Sequence, residues 1–143
     1  MSIVKELNKV FRIDASCKAS GEEEIDELIK FSPIEVPHEY LDLIREKTEL
    51  EINVENQKYI RIWGADGCIE MNEAYYIQKY IPCSLAIGDD EDGNAIMYAE
   101  GKQGFGVYAV AFNDIDIDEM IFISESLTEI LIYAKGIEKL VNL

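Results

Sequence analysis

Few residues in this 143-residue chain have the chemistry of a reactive site: one histidine, His38, three cysteines, Cys17, Cys68 and Cys83, and a large excess of carboxylates. A Cys–His or Ser–His nucleophile would have to use His38, which lies beside Pro37 at an expected helix start, with nothing near it in sequence that marks an activated nucleophile. It reads as a surface histidine. The cysteines are too far apart for a close-spaced metal pair and too odd in number for a disulfide framework, so they read as reduced thiols that fill space, with no resident metal or cofactor. Gly101, Gly104 and Gly106 form a GxxGxG pattern rather than a phosphate-cradling loop, and no Gly-Lys-Ser/Thr is present. They shape a turn. Two acidic runs invite a calcium test. Around Gly88 to Asn94, an EF-hand register puts Gly88 at the first ligand and Ala99 where the bidentate glutamate belongs. The register beginning at Asp114 aligns Asp116, Asp118 and Glu125, but puts Glu119 where the sharp turn needs glycine. The segments on either side of it read as strands. Both runs are therefore read as solvated loops, and the chain is read as lacking an enzymatic site.

Charge is the stronger signal. Thirteen Lys and Arg stand against 29 Asp and Glu, a formal net charge of −16. Such a field repels phosphate backbones and anionic membranes, disfavours direct nucleic-acid binding and attracts a basic protein. Between Ser84 and Ser126 there are ten acids and one base, Lys102. An antiparallel sheet that brought Asp89, Asp90, Glu91 and Asp92 near Asp114, Asp116, Asp118 and Glu119 would add their fields and steer a cationic partner. These eight are the candidate partner-binding residues. Trp63 ends an apolar alternation and reads as a core anchor. Tyr75 and Tyr76 are adjacent, while Tyr76 and Tyr80 share a helical face, so one tyrosine face is a candidate for exposure.

Length fits one domain, since cores usually serve roughly 100 to 200 residues. Hydrophobic residues make up 48% of the chain, enough to offset the ordering entropy of a compact fold. No stretch approaches the roughly 18 uninterrupted apolar residues of a membrane span, and the polar N-terminus is unlike a signal peptide, which together read as a cytosolic protein. Residues 1–19 are expected to form an N-terminal arm or short helix. A capping box at Ser20 to Glu23 predicts a helix from Glu22 to Lys30, and Pro37 opens a second reaching Glu49. Strands follow at Ile52 to Val54 and Tyr59 to Trp63, joined by a turn near Asn56 and ended by Gly64 to Gly67. A short helix from Met71 to Lys79 precedes strands at Ser84 to Ile87, Ala95 to Tyr98, Val107 to Phe112 and Met120 to Ile123. Ser126 and Glu129 cap a last helix of about 15 residues. The order predicts a single α+β domain with a largely antiparallel sheet of about five or six strands and helices at both ends.

Ile81-Pro-Cys-Ser-Leu-Ala-Ile-Gly88, the Asp89 to Asn94 turn, Ile96-Met-Tyr98, Gly106-Val-Tyr108 and Ser124-Glu-Ser-Leu127 together resemble the SUKH superfamily over Pro37 to Leu140. That superfamily includes bacterial immunity proteins of polymorphic toxin systems and fungal cell-wall and glucan synthesis regulators. The resemblance implies an α+β fold and a non-catalytic binding role, most directly neutralisation of a secreted toxin, often a nuclease. It gives weight to Trp63, Gly64, Ile87, Gly88, Asp89, Gly93, Asn94, Tyr98 and Ser126 as positions that build the fold and its central turn. The loop after Trp63 is shorter than the bacterial pattern, and the central turn is unusually acidic, which fits a basic target.

Overall fold

Among the described residues seven strands pair antiparallel, each with the next in the chain, in the order β1-β2-β3-β4-β5-β6-β7. The structure is a computed structural model and describes residues 2–143. The strands are β1 (Phe11–Lys18), β2 (Lys47–Val54), β3 (Lys58–Ile62), β4 (Ser84–Asp89), β5 (Asn94–Gly101), β6 (Gly104–Ala111) and β7 (Ile121–Ser124). Six helices accompany them: α1 (Glu22–Phe31), α2 (His38–Ile44), α3 (Ala65–Ala74), α4 (Ile77–Tyr80), α5 (Leu127–Leu131) and α6 (Ile137–Val141). This is the α+β single domain read from the sequence, with one strand more than expected.

The apolar pattern of each strand shows how many of its faces are covered. In β2, Leu50, Ile52 and Val54 are buried while Glu49 and Glu51 alternate with them, so one face meets helices and the other meets water. In β5, all five residues from Ala95 to Ala99 are buried, which requires cover on both faces. Ile96 and Tyr98 join the larger core under α1, α2, α5 and α6. Ala95, Met97 and Ala99 join a smaller core with Ile77 and Ile81 of the α4 region, Trp63, Tyr108 and Val110. The α4 region, with Met71 of α3, therefore covers the second face of the sheet, while Ala65 and Cys68 of α3 join the larger core.

Several local expectations are corrected. The segment read as an arm or helix instead holds the edge strand β1, whose pairing with β2 is broken by irregularities at Ala15; such bulges blunt an exposed edge. The chain before it is tied down, with Ile3 buried and the Asn8 amide donating to Leu131 O at 2.8 Å. Gly21, not Ser20, caps α1, with Glu24 accepting from its amide at 3.1 Å. Ser20 is used elsewhere: its hydroxyl accepts from the Ala65 amide at the start of α3. The Gly64 to Gly67 segment is thus a helix start rather than a strand end. The second helix stops at Ile44, because the chain enters β2 at Lys47. The last helix breaks after Leu131, where Ala134 and Gly136 both take positive φ, and resumes as α6.

The sheet has a seam between β3 and β4, which pair only through Arg61 with Asp89 and Ile62 with Gly88. Gly88 permits that approach, since a Cβ there would collide with the Arg61 carbonyl oxygen. Below the pair the strands part, leaving the inner edge of β4 without a strand partner. Asn72 of α3 fills the gap. Its Nδ2 donates to Ala86 O at 2.8 Å and to Cys68 O at 2.7 Å, and its Oδ1 accepts from Ala86 N at 3.0 Å. Gln78 Nε2 then donates both to Asn72 Oδ1 and to Ser84 O. The fully buried Asn72 carboxamide therefore acts as a peptide group of the missing strand. Replacing Asn72 with alanine strands the amide and carbonyl of Ala86 in a dry environment and is expected to lower stability by about 3 kcal/mol in urea unfolding. Asn72→Asp, which keeps the shape but removes both donors, is expected to be at least as damaging.

Candidate docking surface

The β4–β5 turn is held by its own carboxylates. Asp90 is 2% exposed. Its Oδ1 accepts from the amides of Asp92 and Asn94, both at 2.9 Å, while its Oδ2 takes Asn94 Nδ2 at 2.8 Å and Lys58 Nζ at 2.9 Å. Burial favours the neutral form, but the hydrogen bonds from Asn94 and the Lys58 partner outweigh it and hold this carboxyl below its ordinary value. Asp89 is also engaged, accepting Trp63 Nε1 at 2.9 Å and the Glu91 amide at 2.7 Å. Gly93, at φ +90°, lets the chain return into β5. Only Glu91 and Asp92 of the four turn acids point into solvent, and Glu91 lies 3.7 Å from Arg61.

The β6–β7 loop leaves the sheet beside this turn, because Phe112 N donates to Gly93 O at 2.9 Å. Asp114 and Asp116 are exposed near that root. The loop then runs away across the sheet: Ile115 and Met120 pack on the smaller core, and Asp118 pairs with Lys102 at 3.1 Å. Lys102 belongs to the turn at the opposite end of the β5–β6 hairpin. The two acidic segments therefore meet at their roots and diverge at their tips. Asp118 and Glu119 lie on a 3₁₀ turn, with the Asp116 side chain accepting from the Asp118 amide. Strand β7 follows at once, so the helix that an EF-hand register would need after this loop is not formed.

The family-pattern residues serve the scaffold. Trp63 is buried and its amide donates to Ile87 O. Its carbonyl accepts the Tyr40 hydroxyl at 2.7 Å. The Gly64 amide donates to Glu49 at the start of α3. Asn94 locks Asp90 as described, and Ser126 Oγ caps α5 by accepting from the Glu129 amide. The Tyr98 hydroxyl donates to Glu39 Oε2 at 2.7 Å, and the same carboxylate takes the amides of Leu127 and Thr128. Glu39 thus ties β5 to the start of α5, with the carboxylate placed where a helix N-terminus favours negative charge. His38 is exposed at the first turn of α2. Cys68 is buried, and burial pushes its thiol up to about 12, out of the range of a thiolate nucleophile.

The acidic count draws attention to carboxylates and away from a cluster of aromatic rings beside them. Tyr75, Tyr76 and Tyr80 are 39%, 65% and 51% exposed. With Phe112, Asp114 and Ile115 they line a groove of about 380 Å³ between the α3–α4 corner and the root of the β6–β7 loop. The Tyr76 and Tyr80 spacing signalled a shared face, but not that a left-handed Tyr76 between two helices would turn it outward.

Residues 20–132 match the family model described as SMI1 / KNR4 family (SUKH-1). No curated protein matches the chain. The matched segment contains β2 to β7, both acidic segments and the tyrosine groove.

The buried turn carboxylate gives a direct test. Asp90→Asn is expected to cost about 3 kcal/mol in urea unfolding, because Lys58 loses its partner in a nearly closed site. Because the folded-state value lies below the unfolded one of about 3.9, the Asp90 contribution is complete above that pH and disappears as pH falls through the folded-state value. The acid limb of the stability curve is therefore expected to be shallower in Asp90→Asn than in the native protein.

Proposed function

The chain belongs to the SMI1 / KNR4 family (SUKH-1), and from that premise we propose that it is a non-catalytic immunity-type protein that neutralises a cationic, nuclease-type toxin by binding it. The single observation that carries this reading is the placement of the solvent-facing acids. Asp89 and Asp90 satisfy the turn from within. Glu91, Asp92, Asp114 and Asp116 project from two segments joined through the Phe112–Gly93 hydrogen bond. On a chain with a formal charge of −16, such a ridge raises the encounter rate with a basic partner and holds it in register. A nuclease presents a basic surface to its own substrate, so an acidic ridge can occupy that surface without performing any reaction.

A regulatory scaffold of the fungal cell-wall type is the second reading within the same family, and it would use the same ridge on signalling proteins. The two separate by partner. Cross-linking in the native cell followed by identification of the bound protein is expected to yield a basic nuclease-type toxin domain whose activity falls on titration with this protein. Recovery of signalling proteins, with growth defects under wall stress, would instead establish the scaffold. With the toxin in hand, simultaneous Glu91→Lys, Asp92→Lys, Asp114→Lys and Asp116→Lys is expected to slow association about tenfold at low salt and to flatten its salt dependence. The urea midpoint should stay near that of the native chain. Unchanged association would remove the acidic ridge from the binding mechanism.

A further inference from the structure

Two of the rings beside the ridge, Tyr76 and Tyr80, give more than half of their surface to solvent. A large aromatic residue at positive φ is uncommon and strained, yet Tyr76 sits at φ 53°, ψ 41° and is the most exposed of the three tyrosines. Tyr75 packs on Phe112 with ring centroids 4.3 Å apart, forming one wall of the groove. Asp114 stands at the rim, and Glu70 and Glu73 are exposed on the preceding helix. Lys79 Nζ lies 5.7 Å from the centre of Tyr80, so a cation that stacks on this ring has to displace that flexible ammonium. Interfaces concentrate their energy in such aromatic clusters, with charged rims around them.

We propose that the groove lined by Tyr75, Tyr76, Tyr80, Phe112 and Asp114 is the centre of the docking face and receives an arginine side chain of the basic protein partner. The inference rests on the protein-binding reading above and adds to it the identity of the recognised group. A guanidinium can lie flat on a tyrosine ring while its in-plane N–H groups reach a carboxylate, whereas an ammonium cannot do both in the same way. The acidic ridge brings a cationic surface in, and the groove selects among cationic side chains. Nucleic acid is a poor occupant, because Asp114 and its acidic surroundings repel phosphate.

The probes are acetylated and amidated Gly-Arg-Gly, Gly-Lys-Gly and Gly-citrulline-Gly, titrated into the full chain and followed by tyrosine ring and backbone amide NMR shifts. The arginine peptide is expected to shift the rings of Tyr76 and Tyr80 and the amides of Asn113 to Ile115, with an affinity in the millimolar range and about fivefold tighter than the lysine peptide. The citrulline peptide, equal in shape and uncharged, is expected to leave them unmoved. Tyr80→Ala should lower arginine-peptide affinity about fivefold. Tyr76→Gly removes a ring while suiting the left-handed backbone, and should weaken binding while leaving the urea midpoint the same or higher.

Equal binding of arginine and lysine peptides, or no arginine-selective shifts at tens of millimolar peptide, would overturn the proposal. Shifts confined to the Glu91 and Asp92 turn would also overturn it, but would leave the acidic-ridge reading standing. Concentration-dependent self-association that Tyr80→Ala abolishes would assign the groove to a second copy of this chain and would overturn it as well.

Discussion

A β-strand that parts from its neighbour must find other partners for its amides and carbonyls, and the arrangement of this molecule follows from how β4 meets that demand. The β3–β4 pairing covers only two residue pairs. Beyond it, Asn72 and Gln78 take over, supplying from the α3–α4 region the hydrogen bonds a strand would have made. That substitution anchors α3 in the seam and sets where α4 emerges. It also places the Tyr75–Tyr76 corner against the root of the β6–β7 loop. One buried carboxamide thereby connects the integrity of the sheet to the shape of the exposed groove, across two elements that do not pair with each other.

Where a residue has only one economical environment, its role was readable before the fold was known. The apolar runs around Ala86, Met97 and Ala109 marked strands, and the structure buries those strands on both faces. Ser126 with Glu129 three residues on marked the start of α5, and the cap forms as read. Boundaries and tertiary choices were less legible. Ser20 has the local pattern of an α1 cap, yet its hydroxyl serves α3, accepting from an orphan amide forty-five positions away. Residues 11–18 do alternate, Phe11, Ile13, Ala15 and Cys17 against Arg12, Asp14, Ser16 and Lys18, so the period of an edge strand stood in the sequence; the small Ala15 and Cys17 weaken its apolar face, and most of the strand stays exposed. The apolar stripe from Leu127 to Ile137 fits a continuous helix, but the backbone turns at Ala134 and Gly136 divide it. Asn72 left a faint trace, standing at helical spacing from Ala65 and Cys68 where an apolar residue would be expected.

The docking surface was legible in its charge and obscure in its geometry. Aspartates in a turn are ambiguous, because the same side chain can face solvent or satisfy its own backbone. Asp89 and Asp90 took the second course, and the carboxylates of this turn that face solvent are those of Glu91 and Asp92. The distinction depends on Lys58, Trp63 and Asn94, which composition cannot place beside them. The structure thus divides an apparently uniform acidic run into a scaffold and a ridge. It also brings forward aromatic rings that a count of charges passes over.

Because each strand lies beside its successor, the closures that assemble the sheet are mostly short, and such contacts carry a small entropic penalty during folding. The long closures are the Asn8 side chain on Ile132 O, across 124 positions, and the Glu39 carboxylate on the α5 amides, across 88 and 89. Loop-closure cost favours the hairpins zipping first and these clasps between distant segments closing last. Interactions completed after the transition state act mainly on the rate of unfolding. A Glu39 clasp completed that late would set how long the folded protein lasts more than how fast it forms.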